Sequence, residues 1–178
     1  MSRNLKSNTW NPKTYLEFAA HRARPVEDLI PHLRLEVPGA IYDLGCGPGN
    51  VTMMLQARWP DRTVVGIDSS PEMLSSARAA HGSNTVTWKQ EDIAKWSADE
   101  PAALVFANAS LQWLDDHDSL LPRLLSNVTS GGLLAVQVPV TSEAPYQDCI
   151  RKVSAAPKWR ARLAGVHPHE DVYSAERY

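Results

Sequence analysis

Three glycines and several acidic residues have types and spacing that could bind a small molecule. Gly45, Gly47 and Gly49 end a short apolar run, and Asp43 lies just before them. Glycines between a strand and a helix let the backbone approach a ligand closely. Taken alone, this pattern is typical either of a ligand-binding loop or of an ordinary tight turn.

A second candidate, Asp68, lies 23 residues after Gly45 and just past the second apolar run. Nucleotide-binding α/β folds place at this position the carboxylate that binds ribose hydroxyls. The alternative is that Asp68 caps the next helix, for which Ser69 and Ser70 are rival caps.

A third candidate pair, Asp92 and Ile93, follows the third apolar run. A carboxylate there can accept a hydrogen bond from an exocyclic amino group, and an apolar neighbour can cover a ring face. The alternative is a solvated acid in a loop.

The spacing of the glycines differs from the dinucleotide fingerprint. Gly45, Gly47 and Gly49 form G-x-G-x-G instead of G-x-G-x-x-G, and the acidic Asp43 precedes them. An acid beside the loop favours a ligand with positive charge over a pyrophosphate. S-adenosylmethionine fits, because it carries a sulfonium, an ammonium, a ribose and an adenine but no phosphate.

Strands that alternate with helices must position these residues. We predict strands over residues 40–44, 63–67, 86–89, 103–107 and 133–138. We predict helices over residues 51–58 with Asn50 as the cap, 72–80 with Pro71 at the first position, 118–128 ended by Gly131-Gly132, and 144–164 interrupted near Pro157. The alternation predicts an α/β fold with a mostly parallel sheet and helices on both faces.

The first 35 residues predict two helical pieces, one starting at Pro12 and a second opening at Pro25 and running through Ile30. We interpret the chain as one domain. Residues 1–35 would form an N-terminal helical lid, residues 36–140 the binding core, and residues 141–178 a C-terminal helical segment.

Composition excludes several classes of protein. The 178 residues carry a net charge of -2, which gives no electrostatic case for nucleic acid or an anionic membrane as partner. No apolar run is long enough for a signal peptide or a membrane span. Cys46 and Cys149 are too few for a disulfide scaffold and lack zinc-ligand spacing, so we predict no metal and a cytoplasmic, reducing compartment.

Two motifs together resemble the class I S-adenosylmethionine-dependent methyltransferases: residues 43–49 (Asp-Leu-Gly-Cys-Gly-Pro-Gly) and residues 66–74 (Gly-Ile-Asp-Ser-Ser-Pro-Glu-Met-Leu). Further blocks narrow the resemblance to the trans-aconitate methyltransferases within that class. These blocks are Trp10-Asn11-Pro12 with Tyr15, and residues 106–114 (Phe-Ala-Asn-Ala-Ser-Leu-Gln-Trp-Leu).

The resemblance implies a role for each matching residue in binding S-adenosylmethionine. Gly45, Gly47 and Gly49 would contact its methionine part, and Asp43 would lie near its ammonium, directly or through water. Asn108, at the end of the fourth strand, would face the methionine moiety and the site of transfer.

The other end of the cofactor has its own implied residues. Asp68 would bind the ribose diol, with Ser69 beside it, and Asp92 and Ile93 would hold the adenine.

The resemblance also implies an O-methyltransferase that esterifies a carboxylate of trans-aconitate or a similar small polycarboxylic acid. A carboxylate acceptor is already ionised at neutral pH, so we assign no catalytic acid or base. Arg22 is a candidate for holding the anionic substrate, because arginine binds carboxylates with a planar fork. Tyr15 and Trp113 would either line the substrate site or belong to the core.

One departure from the family pattern leaves alternatives open. The family's sheet has seven strands in the order 3-2-1-4-5-7-6, and this sequence predicts five, so we expect a chain truncated at its C-terminus. A carboxyl methyltransferase of an acyl-carrier-bound acid, or a truncated cofactor-binding module without turnover, are the alternatives. The sequence does not decide the oligomeric state.

Overall fold

A computed structural model describes residues 19–140, 144–163, 172–174 and 177–178, with side chains from residue 23 onward. These residues form five strands and six helices. The order is α1 (Ala19–Leu29), β1 (Ala40–Leu44), α2 (Asn50–Arg58), β2 (Val64–Asp68), α3 (Pro71–His81), β3 (Val86–Gln90), β4 (Ala102–Asn108), α4 (His117–Leu125), β5 (Val128–Gln137), α5 (Pro145–Ala155) and α6 (Pro157–Leu163). Two short 3₁₀ turns, Ile30–His32 and Leu111–Trp113, follow α1 and β4.

The strands form one parallel sheet in the order β3-β2-β1-β4-β5. This order agrees with the first five strands of the expected sheet, and the fold class is confirmed. The central strands β1 and β4 are buried almost throughout, because both of their faces are covered. The outer strands β3 and β5 are partly exposed.

Helices cover both faces of the sheet. On one face, residues from α1, α2 and α3 pack against inward-facing side chains such as Ile41, Leu104 and Phe106. On the other face, α4 and the connection between β3 and β4 pack against Tyr42 and Ile67. Because side chains alternate along a strand, neighbouring residues of β1 serve opposite faces.

The predicted boundary between the fourth helix and the fifth strand was wrong. Helix α4 ends at Leu125, and β5 begins at Val128, so Gly131 and Gly132 lie inside the strand. Gly131 has a φ of +81°, at an irregularity in the pairing of β4 with β5. A Cβ on Gly132 would lie 2.9 Å from the carbonyl oxygen of Ala103, so glycine is needed here for the close approach of two strands.

Two helix starts also differ from the prediction. Pro25 lies inside α1 and does not open a second helix, since burial of Val26 and Ile30 holds the helix across it. Asn50 is the first residue of α2, and Gly49, with a φ of +88°, takes the cap position. Pro12 and the helix predicted to start there lie outside the described residues.

The remaining predictions for helices are confirmed. Ser70 caps α3 by accepting a hydrogen bond from the Met73 N–H, and Pro71 takes the first helical position. The C-terminal helical segment is interrupted between α5 and α6, just before Pro157. Among the described residues, no helix has the length and apolarity that crossing a membrane requires.

The indole of Trp88 fixes the space around two glycines. It is buried, and its Nε1–H donates to the carbonyl of Gly82. A Cβ added to Gly66, its neighbour on β2, would lie 2.7 Å from the indole ring, and one on Gly49 would lie 2.5 Å from it. The ring therefore requires glycine at a position where β-branched residues are otherwise typical.

We expect Gly66→Ala to lower the free energy of unfolding by about 1–3 kcal/mol, because the added methyl overpacks against Trp88. Urea denaturation measures this change. In a Trp88→Leu background the same substitution should lower the free energy of unfolding by clearly less, since the smaller side chain leaves room for the methyl. Equal costs in both backgrounds would show that the indole does not limit position 66.

Candidate functional site

A cavity opens at the carboxyl edge of the sheet, where α/β folds of this kind bind ligands. It lies beside the ends of β1, β2 and β4 and the loop after β3. Its lining residues are Gly45, Asp68, Ser69, Met73, Asp92, Ile93, Ala109, Ser110, Trp113 and Leu114.

The glycine loop after β1 forms one wall of the cavity. Gly45 has a φ of +77°, and a Cβ there would lie 2.3 Å from the Cβ of Ser110. The Ser110 hydroxyl donates to the carbonyl of Leu44 over 2.7 Å, which joins the ends of β1 and β4. Glycine is thus required at position 45 by both its backbone conformation and the close approach of β4.

The carboxylate of Asp68 connects this loop to the end of β2. One oxygen, Oδ2, accepts from the Gly47 N–H over 2.8 Å, and Oδ1 accepts from the Ser70 N–H over 2.8 Å. Burial raises the pKa of Asp68, while its backbone hydrogen bonds oppose that rise. Asp68 is not the cap of α3, since Ser70 fills that position. Its oxygens keep further lone pairs for a ligand in the cavity.

Asp43 lies behind the glycine loop and is only 2% exposed. The Thr52 hydroxyl of α2 donates to its Oδ2 over 2.6 Å. Burial raises the pKa of Asp43 to about 7, and the negative charge of Asp68 adds to this rise, while the bond from Thr52 opposes it. The bond from Thr52 thus connects β1 to α2 on either side of the glycine loop.

Asp92 and Ile93 form a second wall, after β3. The Oδ1 atom of Asp92 accepts from the Ala94 N–H over 2.9 Å, and the rest of its carboxylate is exposed. Ile93 is buried beside the glycine loop, with its Cδ1 atom 3.5 Å from where a Cβ of Gly45 would lie. A planar group in the cavity could contact the sec-butyl side chain of Ile93 and donate to Asp92.

The third wall is the turn after β4. Ala109 has a φ of +51°, and its N–H donates to the carbonyl of Gln137 at the end of β5. Trp113 is 47% exposed at the cavity rim. His117, the first residue of α4, contacts this turn: its Nε2 lies 2.9 Å from the carbonyl oxygen of Leu111.

The C-terminal residues reach the same histidine. The Nδ1 atom of His117 lies 2.5 Å from the hydroxyl oxygen of Tyr178, and the rings of Tyr173 and Tyr178 pack beside it. The guanidinium of Arg177 donates to Asp118, the next residue of α4.

The structure brings together six of the residues singled out in the sequence. They line the cavity and are Gly45, Asp68, Ser69, Asp92, Ile93 and Trp113. Asp43, Gly47 and Gly49 lie in or beneath the glycine loop, and Asn108 is half-buried at the end of β4. Tyr15 and the side chain of Arg22 lie outside the described residues.

Four lining residues were missed by sequence reasoning: Met73, Ala109, Ser110 and Leu114. Three of them belong to the block of residues 106–114, so this block carried a usable signal. Met73 belongs to the motif of residues 66–74, which carried a signal of the same kind.

The charges of the cavity define the ligands it can take. Its described lining holds two carboxylates and no lysine or arginine. Such a lining favours a ligand that presents hydroxyl or amino donors and a flat apolar part, and disfavours a phosphate group.

Comparison with known proteins agrees with this chemistry. The methyltransferase domain family matches residues 41–132. The chain is 46% identical over 170 residues to the trans-aconitate 2-methyltransferase of Azoarcus sp. (strain BH72), covering 96% of this chain and 66% of that protein. It is 43% identical over 178 residues to the enzyme of the same name from Streptomyces coelicolor, covering 96% of this chain and 58% of that one. The chain thus spans less than two thirds of the length of these relatives.

Solved structures share the fold. The plantazolicin methyltransferase BpumL in complex with SAH superposes with a TM-score of 0.60 at 18% identity, over 73% of this chain and 53% of that one. A DhpI–SAH complex superposes with a TM-score of 0.52 at 26% identity, over 68% of this chain and 56% of that one.

The buried Asp43 predicts a pH dependence of stability. Because its pKa rises from 3.8 to about 7 on folding, the folded chain binds a proton more tightly between these values. Stability should therefore fall as the pH rises from about 4 to about 7, by up to about 1.4 kcal/mol per pH unit from this group. In Asp43→Asn this contribution is absent. The free energy of unfolding of wild type, relative to that of the variant, should therefore decrease as the pH rises from about 4 to about 7.

Urea unfolding at several pH values measures both curves. Asp61→Asn, which removes an exposed carboxylate at the other end of the sheet, controls for the loss of one charge. Parallel curves for wild type and Asp43→Asn would contradict the prediction.

Proposed function

The chain belongs to the methyltransferase domain family, and on that premise we propose that its cavity binds S-adenosylmethionine. The observation that carries the proposal is the pair of carboxylates, Asp68 and Asp92, in the lining of a cavity whose described lining has no cationic side chain. The ligand's hydroxyl and amino donors match these acceptors, and it has no phosphate that would be repelled.

We assign each part of the bound S-adenosylmethionine to a group of residues in the cavity lining. Asp68 accepts hydrogen bonds from the ribose hydroxyls, with Ser69 beside it. Asp92 accepts from the exocyclic amine of the adenine, and Ile93 covers one face of that ring. Gly45 and Gly47 give the methionine part access to the backbone, and Asn108 lies on the side of the transfer site.

We further propose that the complete protein methylates a carboxylate of trans-aconitate or a similar small polycarboxylic acid, as the names of its relatives suggest. When bound, S-adenosylmethionine supplies a methyl group on a sulfonium for in-line displacement. Because the acceptor carboxylate has a pKa of about 4, no side chain has to remove a proton. The protein's contribution is alignment of the two reactants and exclusion of water.

Arg22 and Tyr15 remain the proposed substrate contacts, together with Trp113 at the cavity rim. Helix α1 carries Arg22, and its Pro25 carbonyl accepts a hydrogen bond from the Gln137 side chain over 2.9 Å. This contact fastens α1 to the carboxyl end of β5, at the same edge of the sheet as the cavity. It supports the proposal that the N-terminal segment forms a lid.

We also propose a reducing, cytoplasmic location. In support, Cys46 and Cys149 are both free thiols, the first buried and the second exposed.

Binding is tested by titrating S-adenosylhomocysteine, the product form of the cofactor, into the purified chain by calorimetry. We expect saturable one-to-one binding, and Asp68→Asn should weaken it by roughly 10- to 100-fold, because hydrogen bonds to a charged acceptor are lost. The matched variant Asp61→Asn makes the same chemical change away from the cavity and should bind like wild type. Equal affinities for the two variants would exclude a role of Asp68 in binding.

Activity is tested with the complete protein, methyl-labelled S-adenosylmethionine and a panel of acids. We expect a labelled monomethyl ester from trans-aconitate, identified by mass spectrometry, and no labelled product with acids esterified beforehand. Label on a carrier-bound acid alone would instead support the acyl-carrier alternative. Binding of S-adenosylhomocysteine with no product from any acid would support a module without turnover.

A further inference from the structure

The connection between β3 and β4, residues 91–101, carries one wall of the cavity without a helix or strand of its own. Its internal bonds are local: the Lys95 N–H donates to the carbonyl of Asp92, and the Trp96 N–H donates to that of Ile93. These bonds shape a turn, but they do not fix its place relative to the sheet. Contacts from outside the connection must do that.

Helix α4 supplies a directional contact through Arg123. Its Nη2 donates to the carbonyl of Ile93 over 2.7 Å, and its Nη1 donates to the carbonyl of Trp96. The guanidinium is planar, so it fixes these two carbonyls relative to each other as well as to α4. One of them belongs to Ile93, a residue of the cavity wall.

Contacts to β2 and β3 hold the two ends of the connection. The Glu91 N–H donates to the carbonyl of Asp68 over 3.1 Å, and the Lys89 ammonium pairs with the Asp99 carboxylate.

Two side chains hold its middle. The Asn127 side chain accepts from the Ala98 N–H over 2.7 Å and donates to the carbonyl of Arg123 over 2.8 Å. The buried indole of Trp96 packs against Tyr42 of β1, with ring centroids 5.2 Å apart. The indole anchors the middle of the connection through apolar contact, whereas Arg123 and Asn127 orient it through hydrogen bonds.

We propose that Arg123 is a positioning residue for recognition of the adenine base. By holding the carbonyls of Ile93 and Trp96, it places Asp92 where the carboxylate meets the exocyclic amine and Ile93 where it meets the ring face. The inference rests on the proposed function, because it requires that the base lies against Asp92 and Ile93.

The chemistry of the base gives a specific readout. An adenine presents an amino donor to a carboxylate, whereas the 6-oxo group of hypoxanthine presents an acceptor that the carboxylate repels. A correctly placed Asp92 therefore favours S-adenosylhomocysteine over S-inosylhomocysteine. Arg123 acts on this preference only through the position of the loop.

The experiment titrates both ligands into wild type, Arg123→Gln, Arg123→Lys and Arg78→Gln. We expect Arg123→Gln to weaken binding of S-adenosylhomocysteine by about tenfold and binding of S-inosylhomocysteine much less. The preference for S-adenosylhomocysteine, measured as the ratio of the two affinities, should therefore fall. Arg123→Lys, which keeps the charge but can reach only one carbonyl well, should give an intermediate ratio. Arg78 also donates to a backbone carbonyl, that of Trp88, on the opposite face of the sheet. Its variant should keep the wild-type ratio.

Each outcome decides between the proposals. If wild type binds neither ligand, the proposed function fails. If wild type binds both equally, or if the Arg123 variants keep the wild-type ratio while affinity changes, the positioning role is overturned and the proposed function stands. Should Arg123→Gln be too unstable to titrate, Arg123→Lys alone gives the decisive ratio.

Discussion

The two hydrogen bonds accepted by Asp68 are the contacts on which the site depends. They bring the glycine loop after β1 and the start of α3 to one carboxylate, which lies at the end of β2. The sheet order makes this possible, because β1 and β2 are parallel neighbours and end at the same edge. Partial burial would favour the protonated acid, and the backbone N–H groups oppose this, so the loops and the carboxylate stabilise one another.

The cavity walls differ in how they are supported. The wall around Gly45 is held by contacts between neighbouring strand ends, such as the bond from Ser110 to the Leu44 carbonyl. The walls after β3 and β4 are loops, and both are held by helix α4. Arg123 near its end bonds the first loop, and His117 at its start lies within hydrogen-bond distance of the second. Helix α4 thus contacts both the loop after β3 and the turn after β4, and through these contacts it holds the two walls of the cavity relative to each other.

Sequence reasoning succeeded where a signal was local. The bounds of β1 follow from an apolar run that stops at glycines, and the start of α3 follows from Ser70 and Pro71. It failed at Gly131 and Gly132, since their role depends on the approach of β4, which no local pattern contains. The same holds for the site: Asp68 ends β2 and Asp92 follows β3, and both were found, while the bond from Ser110 to the Leu44 carbonyl depends on the pairing of β4 with β1.

The docking of α1 has a consequence for the order in which the chain folds. Val26, Ile30 and Leu33 pack in the same core cluster as Leu104 and Ala135, and the Pro25 carbonyl bonds to Gln137. These partners lie between 71 and 112 residues further along the chain. During synthesis from the N-terminus, α1 emerges from the ribosome well before the strands that bury it. Its apolar residues therefore lack part of their final packing partners until β5 has been translated, although earlier members of the cluster such as Ile41 and Leu55 are already present.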